Sequence, residues 1–308
     1  MQTLIIGTRG SRLALAQTEL VAAALRQAHP ALAVTVRTIR TRGDRITDVP
    51  LGQVGGKGIF VKEIEEALLR GEADLAVHSA KDLPTELPAG LAIVAVPPRE
   101  DPHDVLIARQ PGATLGDLPP GATIGTSSVR RQAQLAAARP DLRFCDLRGN
   151  VDTRLRKLHE GGLDAIVLAA AGLRRLGLGE LGWPVPFEIC VPAPGQGLLA
   201  LEARADDAKV AELLQPLEAA EARAALTAER AALAGLGGGC QVPVGIVAEH
   251  DSGELYLLGA VLSPDGTWAA RAGVRGSYSE PEAAGAALAE ALLAQGAGTV
   301  TGLAADPG

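Results

Sequence analysis

The chain has 308 residues, 47% of them hydrophobic and 2% aromatic, with a formal net charge of −7. That length supports about two domains, and the acidic balance argues against a general nucleic-acid binder, which works through a basic face. No apolar run approaches the ~18 residues of a membrane-crossing helix, and Leu4-Ile5-Ile6 is too short for a secretory leader, so a cytoplasmic protein is expected.

Short apolar strands alternate with helical patterns over the first 200 or so residues. Thr3–Gly7 reads as a strand, and Leu13, Ala16, Leu20 and Ala24 keep helical spacing after Ser11. Ala33–Ile39 is a strand, Phe60–Arg70 a helix, and Ala73–His78 and Leu91–Val96 are strands. Pro97-Pro98 and Asp101-Pro102 then punctuate the chain. The pattern restarts with strands at Val105–Ala108, Thr123–Gly125, Leu142–Asp146 and Ala165–Leu168, and helices starting near Ser128 and Asn150. After Val191-Pro192-Ala193-Pro194 an Ala-rich helical stretch runs from about Asp206 to Ala234. Strands at Val242–Ala248, Glu254–Leu262 and Thr267–Val274 and a helix near Pro281–Gln295 follow, the order of a small α+β domain. The expectation is α/β: two βα domains plus this third unit, with a two-domain arrangement, the C-terminal part packed as an extension, left open.

Three expected helix starts combine small polar residues with arginine: Thr8-Arg9-Gly10-Ser11-Arg12, Thr126-Ser127-Ser128-Val129-Arg130-Arg131, and Arg148-Gly149-Asn150-Val151 with Arg154 a turn later. A helix N-terminus offers N–H donors and the positive dipole end, and guanidinium adds a fork matched to carboxylate or phosphate. Any one start is also what an ordinary Ser or Asn cap looks like. Three of them at strand ends point to a small polyanion bound in a cleft between the first two domains. Gly52–Phe60 is not a Walker loop, because Gly58 follows Lys57 where Ser or Thr would hold magnesium. It reads either as a flap able to close over a ligand or as a flexible surface loop.

Asp74–Pro84 is a strand running into a loop with His78, Ser79, Lys81 and Asp82. Asp82 suits general acid/base work with Lys81 balancing its charge, or the two form a solvated pair; His78 reads as structural. The cysteines, Cys145, Cys190 and Cys240, lack CxxC spacing, which suits a reducing compartment. Cys145 and Cys190 fall in apolar strand-like segments, whereas Cys240 lies in Gly238-Gly239-Cys240-Gln241-Val242-Pro243. It is the candidate for covalent chemistry among the three, or an inert loop thiol. The histidines show no HxH or HExxH pairing, so no metal is expected.

In order, Thr8-Arg9-Gly10-Ser11, Thr41-Arg42-Gly43-Asp44, Val54-Gly55-Gly56-Lys57-Gly58, His78-Ser79-Ala80-Lys81-Asp82, Gly125–Arg131, Leu147-Arg148-Gly149-Asn150, Pro194-Gly195-Gln196-Gly197 and Gly238–Pro243 resemble the porphobilinogen deaminase (hydroxymethylbilane synthase) family over nearly the whole chain. The resemblance implies two domains like type II periplasmic binding proteins and a small C-terminal α+β domain. Domain 1 would comprise residues 1–98 with 196–216, domain 2 residues 102–191, and the cofactor-attachment domain residues 217–308. It implies a dipyrromethane primer held by a thioether at Cys240, four porphobilinogen molecules added with loss of ammonia, and hydrolytic release of hydroxymethylbilane.

By the same resemblance Asp82 is catalytic, stabilising the cationic azafulvene and relaying protons. Lys81, Asp44, Ser127, Arg130 and Arg131 hold the cofactor, and Arg9, Ser11, Arg148, Arg154, Arg175, Lys57 and Phe60 serve the substrate. The family often has lysine at or beside Gln53; here that cation is missing and Lys57 remains. The expected partners are polycarboxylate pyrroles, with no nucleic acid or membrane, and the expected state is a monomer. The alternative is a non-enzymatic small-anion-binding protein of the periplasmic-receptor type, which would need neither Cys240 nor Asp82 and would normally carry an export signal.

Overall fold

Strand β1 (Thr3–Thr8) sends Leu4 and Ile6 to one face and Ile5 to the other, and apolar groups on both faces demand cover on both. In the computed structural model, which describes residues 3–41, 61–237 and 242–301, that cover is two helices. Helix α1 (Arg12–Ala28) packs Val21, Ala22 and Leu25 against Leu4 and Ile6. Helix α2 (Lys62–Leu69) packs Ile64 and Leu68 on the opposite side, beside Ile5. The expected α1 stripe is corrected: the buried face is Ala14, Gln17, Thr18, Val21, Ala22 and Leu25, while Leu20 is 53% exposed. Apolar residues run nearly all round this helix. Its true inner face includes two polar residues satisfied internally, Thr18 donating to Ala14 O (2.8 Å) and Gln17 Nε2 donating to Ser79 Oγ (2.9 Å).

With β2 (Ala33–Thr38), β3 (Leu75–Ser79), β4 (Leu91–Ala95) and β10 (Leu199–Arg204), β1 forms a five-stranded sheet ordered β2-β1-β3-β10-β4. The first three strands are parallel, and β10 runs antiparallel between β3 and β4. A second sheet comprises β5 (Asp104–Ala108), β6 (Thr123–Gly125), β7 (Arg143–Cys145), β8 (Ala165–Ala169) and β9 (Trp183–Val185) in the order β7-β6-β8-β5-β9. It repeats the plan: three parallel strands, then a strand antiparallel to its neighbours, here β5. Successive β8 residues alternate between two cores, Ala165 and Val167 on one side, Ile166 and Leu168 on the other. Strands β9 and β10 and helix α5 (Ala170–Arg175) are elements the periodicity did not reveal.

The third sheet, β11 (Val244–Asp251), β12 (Glu254–Leu262) and β13 (Ala269–Ser277), is an antiparallel meander. It is backed by α7 (Ala220–Gly235) and α8 (Pro281–Leu293) through an alanine- and leucine-rich core. Two βα sheet domains and a small α+β portion are therefore the architecture, as the resemblance implied. Among the described residues, those up to Arg99 with Leu198–Arg223 form one compact unit, and Glu100–Gly197 with those from Ala224 onward form another. In the second unit Glu229 of α7, fully buried, accepts from Gly195 N and from Ala248 N (2.8 Å), tying the helix to a loop and to β11. No helix among the described residues is long and apolar enough to cross a membrane.

Helix α3 (Val129–Ala138) is held onto the second sheet by a buried ionic knot. Asp104, fully buried at the start of β5, accepts from Arg130 Nη1 (2.7 Å) through one oxygen and from Arg131 Nε (2.9 Å) and Nη2 (2.6 Å) through the other. Arg130 Nη1 also donates to Val191 O (2.8 Å), Arg131 Nη1 donates to Val167 O (2.9 Å), and Gln196 Nε2 adds a bond to Asp104 (3.0 Å). Burial alone would raise the Asp104 carboxyl, but the two guanidiniums outweigh it and hold it far below the usual carboxylate range.

Cys190, expected in a strand, instead follows a turn outside any strand. It lies fully buried with its thiol 3.4 Å from Asp104. Burial, then the Asp104 charge, push that thiol up to about 12, so it is neutral and inert.

Asp104→Asn leaves a buried excess of guanidinium charge and is expected to cost about 3–5 kcal/mol in denaturant unfolding at neutral pH. Because the folded carboxyl titrates below the unfolded one, its contribution is complete above about pH 4 and fades as pH falls further. The gap between wild type and variant should narrow in that acid range.

Candidate functional site

In a parallel sheet the loops that follow the strands gather at one end, and helices beginning there aim their N–H groups at it. In the first unit β1 ends at Thr8, and Ser11 caps α1 by accepting from Ala14 N (3.2 Å). Its parallel neighbour β3 ends at Ser79 and turns at once into a 3₁₀ turn, Ala80–Asp82, anchored by Ala80 N donating to Leu198 O (3.0 Å). One cavity is lined from both strand ends, by Arg9, Ser11 and Gln17 on one side and His78, Ser79 and Asp82 on the other. Asp82 is exposed, and Lys81 and Arg9 are half-buried. An accessible carboxylate and a guanidinium thus share a cavity with a helix N-terminus, an arrangement able to hold an anionic ligand while exchanging a proton with it.

The second unit builds two such starts side by side on the parallel pair β6 and β7. Ser128 caps α3 by accepting from Arg131 N (3.4 Å). Asn150 caps α4 (Val151–Glu160), accepting from Thr153 N (2.9 Å) and Thr153 Oγ1 (2.8 Å). Ser127 braces the two loops: its hydroxyl donates to Leu147 O (3.1 Å) and accepts from Leu147 N (3.0 Å). Arg148 and Arg154 are half-buried beside this brace, with Arg154 Nε donating to Gly149 O (2.8 Å). Arg175, in the last turn of α5, donates to Gly197 O (2.7 Å). Burial pulls it down to about 10 against the opposing charge of Glu100, so it keeps its proton at neutral pH.

Arg130 and Arg131 do not stand open to a ligand as expected. They are 5% and 6% exposed and turned onto Asp104, because an ionised carboxylate buried under α3 demands them. Two guanidiniums facing one carboxylate still leave a positive charge beneath the Ser127–Ser128 turn. His78, read from the sequence as structural, is buried with Nε2 3.0 Å from Glu202 Oε2. Asp44, Lys57, Phe60 and Cys240 lie outside the described residues.

Three polar residues with roles in or beneath these sites went unrecognised in the sequence: Gln17, Asp104 and Glu202. Asp104 and Glu202 had a signal, each being a lone acid in an otherwise apolar strand (Asp-Val-Leu-Ile-Ala and Leu-Ala-Leu-Glu-Ala). Gln17 had none, since its pairing with Ser79 spans 62 positions.

Gly149 adopts φ +111°, and a Cβ there would sit 2.7 Å from Thr153 Cγ2. Strain and overlap act in the same direction, so Gly149→Ala is expected to lower stability by about 1–3 kcal/mol in thermal or denaturant unfolding.

Residues 4–212 match the family model described as porphobilinogen deaminase, dipyromethane cofactor binding domain, and residues 224–294 match porphobilinogen deaminase, C-terminal domain. A porphobilinogen deaminase of Roseiflexus sp. (strain RS-1) is 58% identical over 296 residues, covering 96% of this chain and 97% of that protein. One of Desulforudis audaxviator (strain MP104C) is 54% identical over 297 residues, covering 96% of both. Among solved structures, the methionine binding protein MetQ superposes with a TM-score of 0.44 at 14% identity, covering 70% of this chain and 88% of that one. Strand order, not that distant likeness, carries the fold. An enzyme of the transferase type, the chain belongs to the porphobilinogen deaminase family.

Proposed function

We propose that this chain condenses four porphobilinogen molecules, with loss of ammonia, onto a dipyrromethane primer held by a thioether at Cys240, and then releases hydroxymethylbilane by hydrolysis. The observation that carries the reading is the shared cavity of Arg9, Ser11 and Asp82. Each pyrrole brings an acetate and a propionate, so the primer presents four carboxylates and every addition brings two more. Within the first unit Arg9 and the helix start at Ser11 suit such carboxylates, and within the second unit Arg148, Arg154 and Arg175 with the helix starts at Ser128 and Asn150 do so in the same way. The primer supplies the nucleophilic pyrrole carbon on which the chain grows.

The protein's own groups do the rest. Losing its amine makes the incoming substrate cationic, and the Asp82 carboxylate stabilises that charge and takes up the proton released as the new carbon–carbon bond forms. Lys81 holds primer carboxylates, and Asp44 accepts from the pyrrole N–H groups. Ser127 fixes the loops that carry Arg148 and Arg154. Arg130 and Arg131 act from beneath, through the positive charge left over after Asp104 is satisfied. Lys57 and Phe60 shield the substrate. The enzyme works as a cytoplasmic monomer.

Intact-protein mass spectrometry of wild type is expected to show an adduct of two pyrroles that Cys240→Ser lacks; an unmodified, folded wild type from a haem-producing host would overturn the tether. Asp82→Ala should keep the adduct while losing turnover by about a hundredfold or more; wild-type rates would remove Asp82 from the chemistry. Arg148→Ala is expected to raise KM or impair primer assembly, at about 1.5–3 kcal/mol for one charge-assisted contact.

A further inference from the structure

We propose that Glu65 and Glu202, buried behind the wall of the Asp82 cavity, form a proton-holding unit with His78, which lines it, and that the charge on this unit sets the pH dependence of the condensation. The inference rests on the reading of Asp82 given above. His78 lines the same cavity as Asp82 and stands four residues before it on the strand that leads into its turn. Behind His78, Glu202 of β10 is fully buried, with Oε2 3.0 Å from His78 Nε2. Glu65 of α2 is 6% exposed. Oε1 of Glu65 and Oε1 of Glu202 are both buried with no hydrogen-bond partner among the described residues.

Glu202 is buried against the imidazole, and Glu65 on the helix packed over β3 and β10. Two such buried carboxylates do not both ionise at small cost, so one proton is held that exposed groups would have lost. Burial, then the charge of Glu202, push Glu65 up to about 7, with His78 pulling the other way.

Helix α2 packs on β1, β3, β4 and β10. Strands β1 and β4 bring no ionisable side chain, β3 brings His78, and β10 brings Glu202 and Arg204. The Arg204 guanidinium is occupied by Leu68 O, Ala73 O, Asp74 and Asp207. Lys62, Glu63 and Glu66 lie on α2 itself, and Arg9 and Asp82 face the cavity. As pH rises through the titration of Glu65, its proton passes to solvent and the wall gains one negative charge. A substrate turning cationic in front of that wall is stabilised by it, so turnover at saturating substrate should rise over the same interval.

The test is the pH profile of kcat for the primer-loaded enzyme, read beside the infrared stretch of its protonated carboxyl groups. Wild type should show a carboxyl band that titrates near pH 7 together with the rise in kcat. Glu65→Gln should lose the band and stay at the low-pH level, about threefold to tenfold below wild type in the alkaline plateau. Glu202→Gln should move the midpoint of both readouts to lower pH and His78→Gln to higher pH, shifts that a merely structural role would not produce. A band that persists in Glu65→Gln, or a kcat profile identical to wild type in that variant, overturns the proposal. Should Glu65→Gln fail to fold, the Glu202→Gln midpoint decides, and an unmoved one overturns it. Asp82→Asn separates the two readings: full turnover in that variant sinks the role of Asp82, while its carboxyl band reports on Glu65 independently.

Discussion

A single buried carboxylate, Asp104, organises the second unit. It has no access to water, so its charge has to be met by protein donors, and two consecutive residues of α3 meet it with both guanidiniums. That requirement fixes the rotation of α3 about its axis and the point at which the helix starts. The Ser127–Ser128 turn, and through it the neighbouring loop of Arg148, inherit their positions. Gln196 and Cys190 draw two later segments onto the same centre. The anion-facing loops therefore stand on a charged foundation that contributes one uncompensated positive charge of its own.

The two units treat buried acidity in opposite ways. Asp104 sits between two guanidiniums, which hold its carboxyl far below the usual carboxylate range. Glu65 sits near another carboxylate and is pushed towards its neutral form. The difference follows from the neighbours alone: opposite charge at close range offsets desolvation, like charge adds to it. One arrangement gives a permanent field and the other a field that varies with pH. Both lie directly under strand ends from which the candidate chemical groups project.

Much of this was legible in the residues. Alternation and turn signals located most of the strands, and the caps at Ser11, Ser128 and Asn150 could be named because capping is local chemistry. What escaped was set by distance along the chain. Strand β10 reads as strand only because a gap awaits it between β3 and β4. The inner face of α1 was misjudged because polar Gln17 is satisfied by Ser79, far away in sequence. Arg130 and Arg131 look like ligand arginines from composition and turn inward because of Asp104, 26 and 27 positions earlier. The motifs said which residues carry chemistry; the long-range pairings decide which of them stand in front and which stand behind.

The place of β10 also bears on how the molecule is made. Among the described residues strand β4 pairs only with β10, and β10 supplies the second partner of β3. Until residues 199–204 leave the ribosome, the first sheet therefore has an open slot with two bare hydrogen-bonding edges. Meanwhile the chain between them carries every strand of the second sheet, whose pairings span shorter stretches than those β10 makes with β3 and β4. Contacts of shorter separation form sooner, so the inserted unit can complete itself before the unit that begins the chain. The N-terminal sheet thus closes after the one inserted within it, and a nascent protein halted near residue 198 would expose a sticky cleft inviting stray strands or a chaperone.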